Sequence, residues 1–317
     1  MSRDFKYLIY ILYENAILKF ERHNPLESKF RNFAESRISK RNRRMKYYKS
    51  YGSFKDAVTS HLGTFNPGPA GAYINTKTGE VGYYRHILDI SENSTQTEVI
   101  YNILREDGVE IDLFEKPQQY AHHLNSSQIV CYEFFRPMLN ADRTAKEILK
   151  RFLTERSISA HKGVLMGRFE YLPDPEEYTN FDFYLEGNDV KIYFEIKYTE
   201  NGFGKCDKDQ THKDKFETIY KPMIATCGCL SKEPTFDEFC KYYQLFRNVL
   251  RVTKQDGIKE YSIFLYPQGN TIAEKHFDEF VTEFISGDLA SHVVGIHWEE
   301  CAEYMSETFK NKYFFYL

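Results

Sequence analysis

The sequence predicts an α/β (α+β) fold: a central mixed sheet flanked by helices, preceded by a mainly helical N-terminal region. Three observations predict it. Between Thr179 and Glu200 two segments of period two are joined by a tight turn, the pattern of half-buried strands in a hairpin. On either side of that hairpin, segments of helical and of strand periodicity follow one another in an order that packs helices against a sheet. And 25 Tyr and 26 Phe in 317 residues supply enough large apolar side chain for an ordered core, which excludes a disordered chain.

The elements follow in order. Residues 5–20 are apolar but contain Glu14 and Lys19, too short for the ~20-residue apolar run of a membrane span. They also lack the basic start and small-residue cleavage site of a leader, so an amphipathic helix is expected. From Lys19 to Lys49 the chain holds eleven Lys or Arg against three acids, with Arg41, Arg43, Arg44 and Lys46 running into Tyr47 and Tyr48. Such a run is either a phosphate-binding arm or a solvated helix face. It also explains how a chain of net charge −4 could still meet a polyanion. Residues 61–86 read as a loop and a short hairpin around a Thr-Lys-Thr-Gly turn. A boundary near Pro117 divides the chain into residues 1–115 and 116–317.

In the second part, Asn125 followed three residues later by Gln128 makes a capping-box pattern. A rigid cap there could also present Gln128 or Glu133 to a neighbouring site. A helix over 144–155 and a strand over 163–172 follow. Glu170 in that strand is either a further carboxylate for a site or an exposed strand charge. Beyond the hairpin, a helix is predicted over 236–252, with Phe239, Tyr243, Phe246 and Leu250 on one stripe and Gln244 and Arg247 together on the adjoining face. There Gln244 and Arg247 can position a catalytic group or phosphate, or simply meet solvent. A strand over 261–266, a helix over 272–285 and a strand over 293–298 complete the order.

The hairpin's register can be worked out. Phe181, Phe183 and Leu185 alternate with Asp182, Tyr184 and Glu186; Ile192, Phe194 and Ile196 alternate with Tyr193, Glu195 and Lys197. With Asn188 and Asp189 as a two-residue loop, Gly187 pairs with Val190, Phe183 faces Phe194, and Asp182 faces Glu195. A one-residue slip would set apolar side chains against charged ones. Directly opposed β-carbons lie roughly 5 Å apart, so two carboxylates converge where a cation must offset their repulsion. Lys197, two residues past Glu195, projects from the same face.

Asp182, a short hairpin, then Glu195-Ile196-Lys197 resembles the core of the PD-(D/E)xK nuclease superfamily, with its restriction-endonuclease-like fold. The resemblance covers roughly residues 120–317 in the order of elements. It implies Asp182, Glu195 and the Ile196 carbonyl as Mg²⁺ ligands, with Mn²⁺ as a substitute, and Lys197 near the attacking water. The superfamily's Pro-Asp is displaced here: Pro173-Asp174 lies upstream, and Asp182 follows Phe181. Asp182 is preferred because it lies opposite Glu195. The stretch from His122 to Phe135 is similar to the founding helix of a subgroup of bacterial restriction-endonuclease-like proteins, which adds Gln128 as a site candidate. Gln244, Glu170 and, past Lys197, Glu200 are the further candidates. The implied activity is Mg²⁺-dependent hydrolysis of DNA, double-stranded by expectation, by a cytoplasmic protein with a role in bacterial defence and a possible homodimer. The alternatives are a silent or partner-activated nucleic-acid-binding module, and a nuclease of RNA or structured DNA with the same site.

Six cysteines at these spacings form no disulfide framework, and free thiols fit the cytoplasm. Cys227 and Cys229, with Cys206 and Cys240, lack the paired C-x-x-C spacing of a zinc site. No phosphate-binding loop, dinucleotide fingerprint or Gly-x-Ser-x-Gly occurs, which leaves nucleotide hydrolysis and serine-hydrolase chemistry without support.

Overall fold

In a computed structural model the residues described are 53–90, 118–139, 143–156, 158, 165–173, 180–253 and 257–317. The basic residues Arg41, Arg43, Arg44 and Lys46, the expected boundary at 115/116 and Asp174 lie outside them. Residues 53–317 form one compact unit.

That unit opens with helix α1 (Phe54–Leu62), whose N-cap Ser53 accepts from the Asp56 N–H. A hairpin follows, β1 (Ala70–Ile74) and β2 (Val81–Leu88), paired antiparallel. Its turn sits where the Thr-Lys-Thr-Gly signal predicts, and Gly79, at φ 74°, adopts the left-handed conformation that a residue with a β-carbon rarely takes. Next come helices α2 (Ser127–Phe135) and α3 (Arg143–Thr154). They precede a five-stranded sheet of β3 (Met166–Tyr171), β4 (Phe181–Glu186), β5 (Val190–Ile196), β6 (Lys259–Tyr266) and β7 (Val293–His297).

The sheet order is sequential, β3-β4-β5-β6-β7. Its first three strands are antiparallel, while β6 and β7 run parallel to their neighbours. Parallel neighbours need crossover connections, and helices provide them. Between β5 and β6 lie α4 (Gln210–Lys215), α5 (Lys221–Thr226), α6 (Phe236–Lys241) and α7 (Tyr243–Val249). Helix α8 (Thr271–Phe284) connects β6 to β7, and α9 (Glu307–Tyr313) closes the chain.

Aromatic side chains fill both faces. On one, Phe135 of α2 stacks on Phe183 at 4.2 Å and meets Phe194 at 5.0 Å. On the other, Phe264 and Tyr266 of β6 pack with Phe246, Phe277 and Phe280. Burial on two faces explains why β5 reads as Val-Lys-Ile-Tyr-Phe-Glu-Ile with six of its seven residues buried.

Two expectations are corrected. The predicted helix over 236–252 is two helices broken at Tyr242 (φ −115°, ψ 31°). Its ring is buried against His276 and Phe280 of α8, and packing there overrides helical continuity. Asn125 does not cap α2 either: the N-cap is Ser126, and Asn125 Nδ2 instead donates to Thr199 Oγ1 at 2.7 Å.

Candidate active site

The hairpin turn closes as the register requires, with the Gly187 N–H donating to the Val190 carbonyl at 2.9 Å. The β4–β5 ladder then runs from Glu186↔Lys191 to Phe183↔Phe194. One step further lie Asp182 and Glu195, and the same step on the β3–β4 ladder sets Glu170 between the Phe169↔Phe183 and Tyr171↔Phe181 pairs. Three carboxylates thus occupy one row across the end of three strands.

Each acid is tied down. Asp182 Oδ2 accepts from the Ile196 N–H at 2.6 Å, so the side chain replaces the next rung of the ladder. Glu195 is 3% exposed; its Oε1 accepts from Lys197 Nζ at 2.6 Å and its Oε2 from Asn248 Nδ2 at 3.0 Å. Lys197 is 7% exposed, and its carbonyl accepts from Trp298 Nε1 at 3.2 Å. Glu170 is half-buried rather than an exposed strand charge. Its Oε1 accepts from Gln128 Nε2 at 2.7 Å and Gln118 Nε2 at 3.3 Å, its Oε2 from Asn180 Nδ2 at 3.4 Å. The chain bends to place it: with φ 49°, Glu170 is the non-glycine residue with positive φ among the described residues. A left-handed residue with a β-carbon costs about 1–2 kcal/mol, and strain of this kind gathers at functional sites.

The electrostatics follow from that crowding. Burial, then repulsion from Glu195, pushes the Asp182 carboxyl well above the ordinary carboxylate range. Burial also raises Glu170, against the hydrogen bonds from Gln128 and Asn180. Burial works against the Lys197 ammonium, but Glu195 and Asp182 outweigh it and hold its pKa above the usual lysine value. Lys197 is therefore a cation at neutral pH.

Gln128 and Glu133 leave α2 for different partners. Gln128 Oε1 also accepts from the Gln118 N–H at 2.8 Å, so Gln128 bridges a loop and the carboxylate row. Glu133 accepts from Lys312 Nζ at 3.0 Å and Tyr313 OH at 2.6 Å in a buried cluster that fastens α9 to α2. Gln244 Oε1 accepts from the Gly204 N–H at 2.5 Å, holding the loop after Lys197. The Arg247 guanidinium lies 4.9 Å over the Tyr243 ring. Glu200 accepts from the Tyr198 N–H at 2.6 Å.

Asn248 is a residue at this candidate site that sequence reasoning does not single out. Its neighbours are apolar at helical spacing, and only the structure shows it buried at 2% with its amide on Glu195. The available signal is a polar residue between Phe246 and Leu250 on the core side of a helix, one turn after Gln244.

Among known proteins, the family described as restriction endonuclease associating with ARP (REase-ARP) matches residues 61–316. The chain belongs to this family. No curated protein and no solved structure matches it. The match spans the β1–β2 hairpin and the whole five-stranded sheet, and the mixed sheet flanked by helices is consistent with a restriction-endonuclease-like fold.

For this REase-ARP member, the oxygen donors at the end of β5 suit a hard divalent cation. Two carboxylates stand in the row beside Ile196. The N–H and C=O of a strand residue leave on one edge, so the Ile196 carbonyl is directed to the β4 side with Asp182. Among the described residues no group of three or more His, Cys, Asp or Glu side chains is arranged to hold a metal ion. The groups at the end of β5 that could hold one are two carboxylates and a main-chain carbonyl. Cys227 and Cys229, with Sγ atoms 3.3 Å apart, are free thiols, as are Cys206 and Cys240. No helix among the described residues is long and apolar enough to cross a membrane.

Proposed function

We propose that the chain is a metal-dependent endonuclease of the PD-(D/E)xK type that hydrolyses DNA phosphodiester bonds. The observation that carries this reading is the row of half-buried Glu170 and Asp182 and buried Glu195, with Lys197 on Glu195. Ionised together, three carboxylates against one ammonium would carry two net negative charges, which a divalent cation such as Mg²⁺ or Mn²⁺ would balance. Asp182, Glu195 and the Ile196 carbonyl would hold it. When bound, such an ion lowers the pKa of a coordinated water and neutralises charge on the scissile phosphate.

The chain's own residues supply the rest. Lys197, held protonated, stabilises the charge that develops on the phosphate and orients the attacking water through its remaining donors. Asn248 fixes the rotamer of Glu195, and Gln128 with Gln118 fixes Glu170, so both acids are positioned before substrate arrives. Gln244 braces the loop that follows Lys197. Arg247 and the basic run through Arg41, Arg43, Arg44 and Lys46 are candidate phosphate contacts. Free thiols fit a reducing cytoplasm. The family resemblance suggests a defence role, and cutting both strands of a duplex with one site per chain calls for a homodimer or two successive events.

A second reading has its own support. The Lys197–Glu195 bond and the amide bonds to each acid satisfy the site internally, and the family is described by its association with ARP. Partner-dependent activation of the same site accounts for both.

The test is cleavage of linear and supercoiled plasmid, single-stranded DNA and RNA in Mg²⁺, Mn²⁺ or EDTA, beside Lys197→Ala. Metal-dependent cutting should fall by at least about 100-fold in the variant, and the preferred substrate defines the class. Equal cutting by both proteins would refute the assignment. No cutting by either, with nucleic acid still bound, selects the partner-activated or silent reading.

A further inference from the structure

Beside the carboxylate row lies a cavity of about 540 Å³ that the hydrolytic chemistry does not use. Its wall includes Tyr73 and Tyr84 of the β1–β2 hairpin, His86, Tyr120, His123 and the Ser126–Ser127 start of α2, with Lys55 at one side. Five of these rings form a closed circuit. Tyr73–Tyr84, Tyr84–His86, His86–His123, His123–Tyr120 and Tyr120–Tyr73 stand 6.4, 5.7, 6.3, 5.2 and 6.3 Å apart between centroids. Each neighbouring pair is tilted or edge-on, by 49° to 90°, and Tyr73 also meets His123 across the circuit at 6.1 Å, so the five rings form one aromatic cluster on the cavity wall.

The wall also carries polar groups in need of a partner. His123 Nε2 and Asn125 Oδ1 are buried polar atoms without a hydrogen bond, a condition that costs about 1–3 kcal/mol each. Burial and the Lys55 charge push the His86 imidazole down to about 4, and burial with the neighbouring imidazoles pushes His123 down to about 3. Both rings are therefore neutral and offer one donor and one acceptor each. Helix α2 points its N-terminus at the cavity, and its N-cap Ser126 places no side-chain bond on the first turn, a setting that favours an anion.

Aromatic plates, neutral donor and acceptor groups and an anion-favouring helix start are the three requirements of a nucleotide. We propose that this cavity holds one nucleotide of the substrate strand, its base against the aromatic wall and its phosphate between Lys55 and the start of α2. The assignment rests on the nuclease reading for the word substrate. Two connections place it next to the scissile bond: Gln118 lines the cavity and hydrogen-bonds both Gln128 and Glu170, and Thr199 and Glu200 line it just beyond Lys197. A base in this position is out of its stack, so single-stranded or locally opened nucleic acid binds in preference to a closed duplex.

The experiment uses the full chain in EDTA, with a short single-stranded oligonucleotide carrying 5-iodouracil, a blunt duplex of the same sequence, and free AMP and GMP. Photo-crosslinked peptides are mapped by mass spectrometry, and affinities are measured by fluorescence anisotropy for wild type, Tyr84→Ala, Tyr84→Phe and His123→Ala. Tyr84 is 45% exposed, so its replacement leaves the core intact. Crosslinks are expected at Tyr73, Tyr84 or Tyr120, with Tyr84→Ala weakening the single strand roughly 5- to 100-fold and Tyr84→Phe close to wild type. Crosslinks confined to other regions, together with unchanged affinity in Tyr84→Ala and His123→Ala, would overturn the proposal. Tyr84-dependent binding of AMP or GMP but not of the oligonucleotide keeps the nucleotide chemistry and overturns its place on the substrate strand. The nuclease reading is tested separately: crosslinking at these tyrosines with no cleavage in Mg²⁺ selects the partner-activated or silent reading and leaves the pocket standing.

Discussion

Replacing Asp182 with Asn distinguishes a catalytic carboxylate from a structural one. Asp182 sits in the row with Glu195 and Glu170, and desolvation and repulsion hold its pKa up. An acid whose folded pKa lies above its unfolded value, near 3.9, weakens the native state at higher pH, because the unfolded chain ionises more easily. Opposed carboxylates on strands are roughly 5 Å apart, and at an effective dielectric of about 20 two such charges repel by about 3 kcal/mol. Lys197 offsets part of this. The 2.6 Å bond from the Ile196 N–H weakens by about 1 kcal/mol when its acceptor becomes neutral. Asp182→Asn should therefore gain about 1–2 kcal/mol at pH 7, or roughly 2–8 °C in Tm. The gain should vanish below about pH 4, where the carboxyl is protonated in both states. Thermal melts in EDTA at pH 7 and pH 3.5 or so, paired with cleavage in Mg²⁺, form the assay. A higher Tm with cleavage down by about 100-fold or more is the expected result. A variant that melts below wild type at pH 7 would show that Asp182 serves Ile196 rather than catalysis, and the reasoning fails.

Three further outcomes are expected. Asn248→Ala removes the amide that orients Glu195 and should lower cleavage roughly 10- to 100-fold while raising the Mg²⁺ needed for half-maximal rate; an unchanged metal titration would remove Asn248 from the site. Lys312→Met leaves Glu133 charged and buried beside Tyr313, at a cost of about 3–5 kcal/mol in urea denaturation, most of it recovered in the Glu133→Gln/Lys312→Met double variant; additive losses would contradict the pairing. The capping bond from the Thr235 N–H, with Lys232, holds the Glu238 carboxyl at about 2, so its stabilisation is present above the unfolded value near 4.3 and disappears as pH falls toward 2. Glu238→Ala should thus cost up to about 1 kcal/mol at neutral pH, after solvent screening, and much less at pH 3; equal losses at both pH values would rule out a charge origin.

The sheet and the pairing of β4 with β5 were legible because period two and a two-residue turn leave one register that keeps apolar side chains together. Phe183 opposite Phe194 is the result. What lay beyond reach has a common cause, contact between residues distant in sequence. The break at Tyr242 comes from packing on α8, the Asn248–Glu195 bond from folding α7 onto β5, and the left-handed Glu170 accompanies bonds to Gln128 and Gln118, distant in sequence. Asn125 shows the limit of local rules: its spacing to Gln128 fits a capping box, yet Thr199 competes successfully for its amide.

The acids of the row are restrained largely by neutral donors: Asp182 by a main-chain N–H, Glu170 by three amides, Glu195 by Asn248 as well as by Lys197. Dipoles of this kind fix position without neutralising charge, so on the proposed reading the row's geometry is set before a cation arrives. An ordinary structural cluster resolves the same problem differently. Glu133 is matched by Lys312 one for one, in the same protein and at similar burial. The chain can therefore neutralise a buried carboxylate with its own lysine, and in the row it does so for one acid of three. Evolution toward stability alone would remove the surplus charge, since Asp182→Asn costs no volume and relieves repulsion. On the proposed reading, repulsion within the row, a strained Glu170 and a lysine held protonated beside them belong together, because the balancing positive charge would arrive from outside with the substrate.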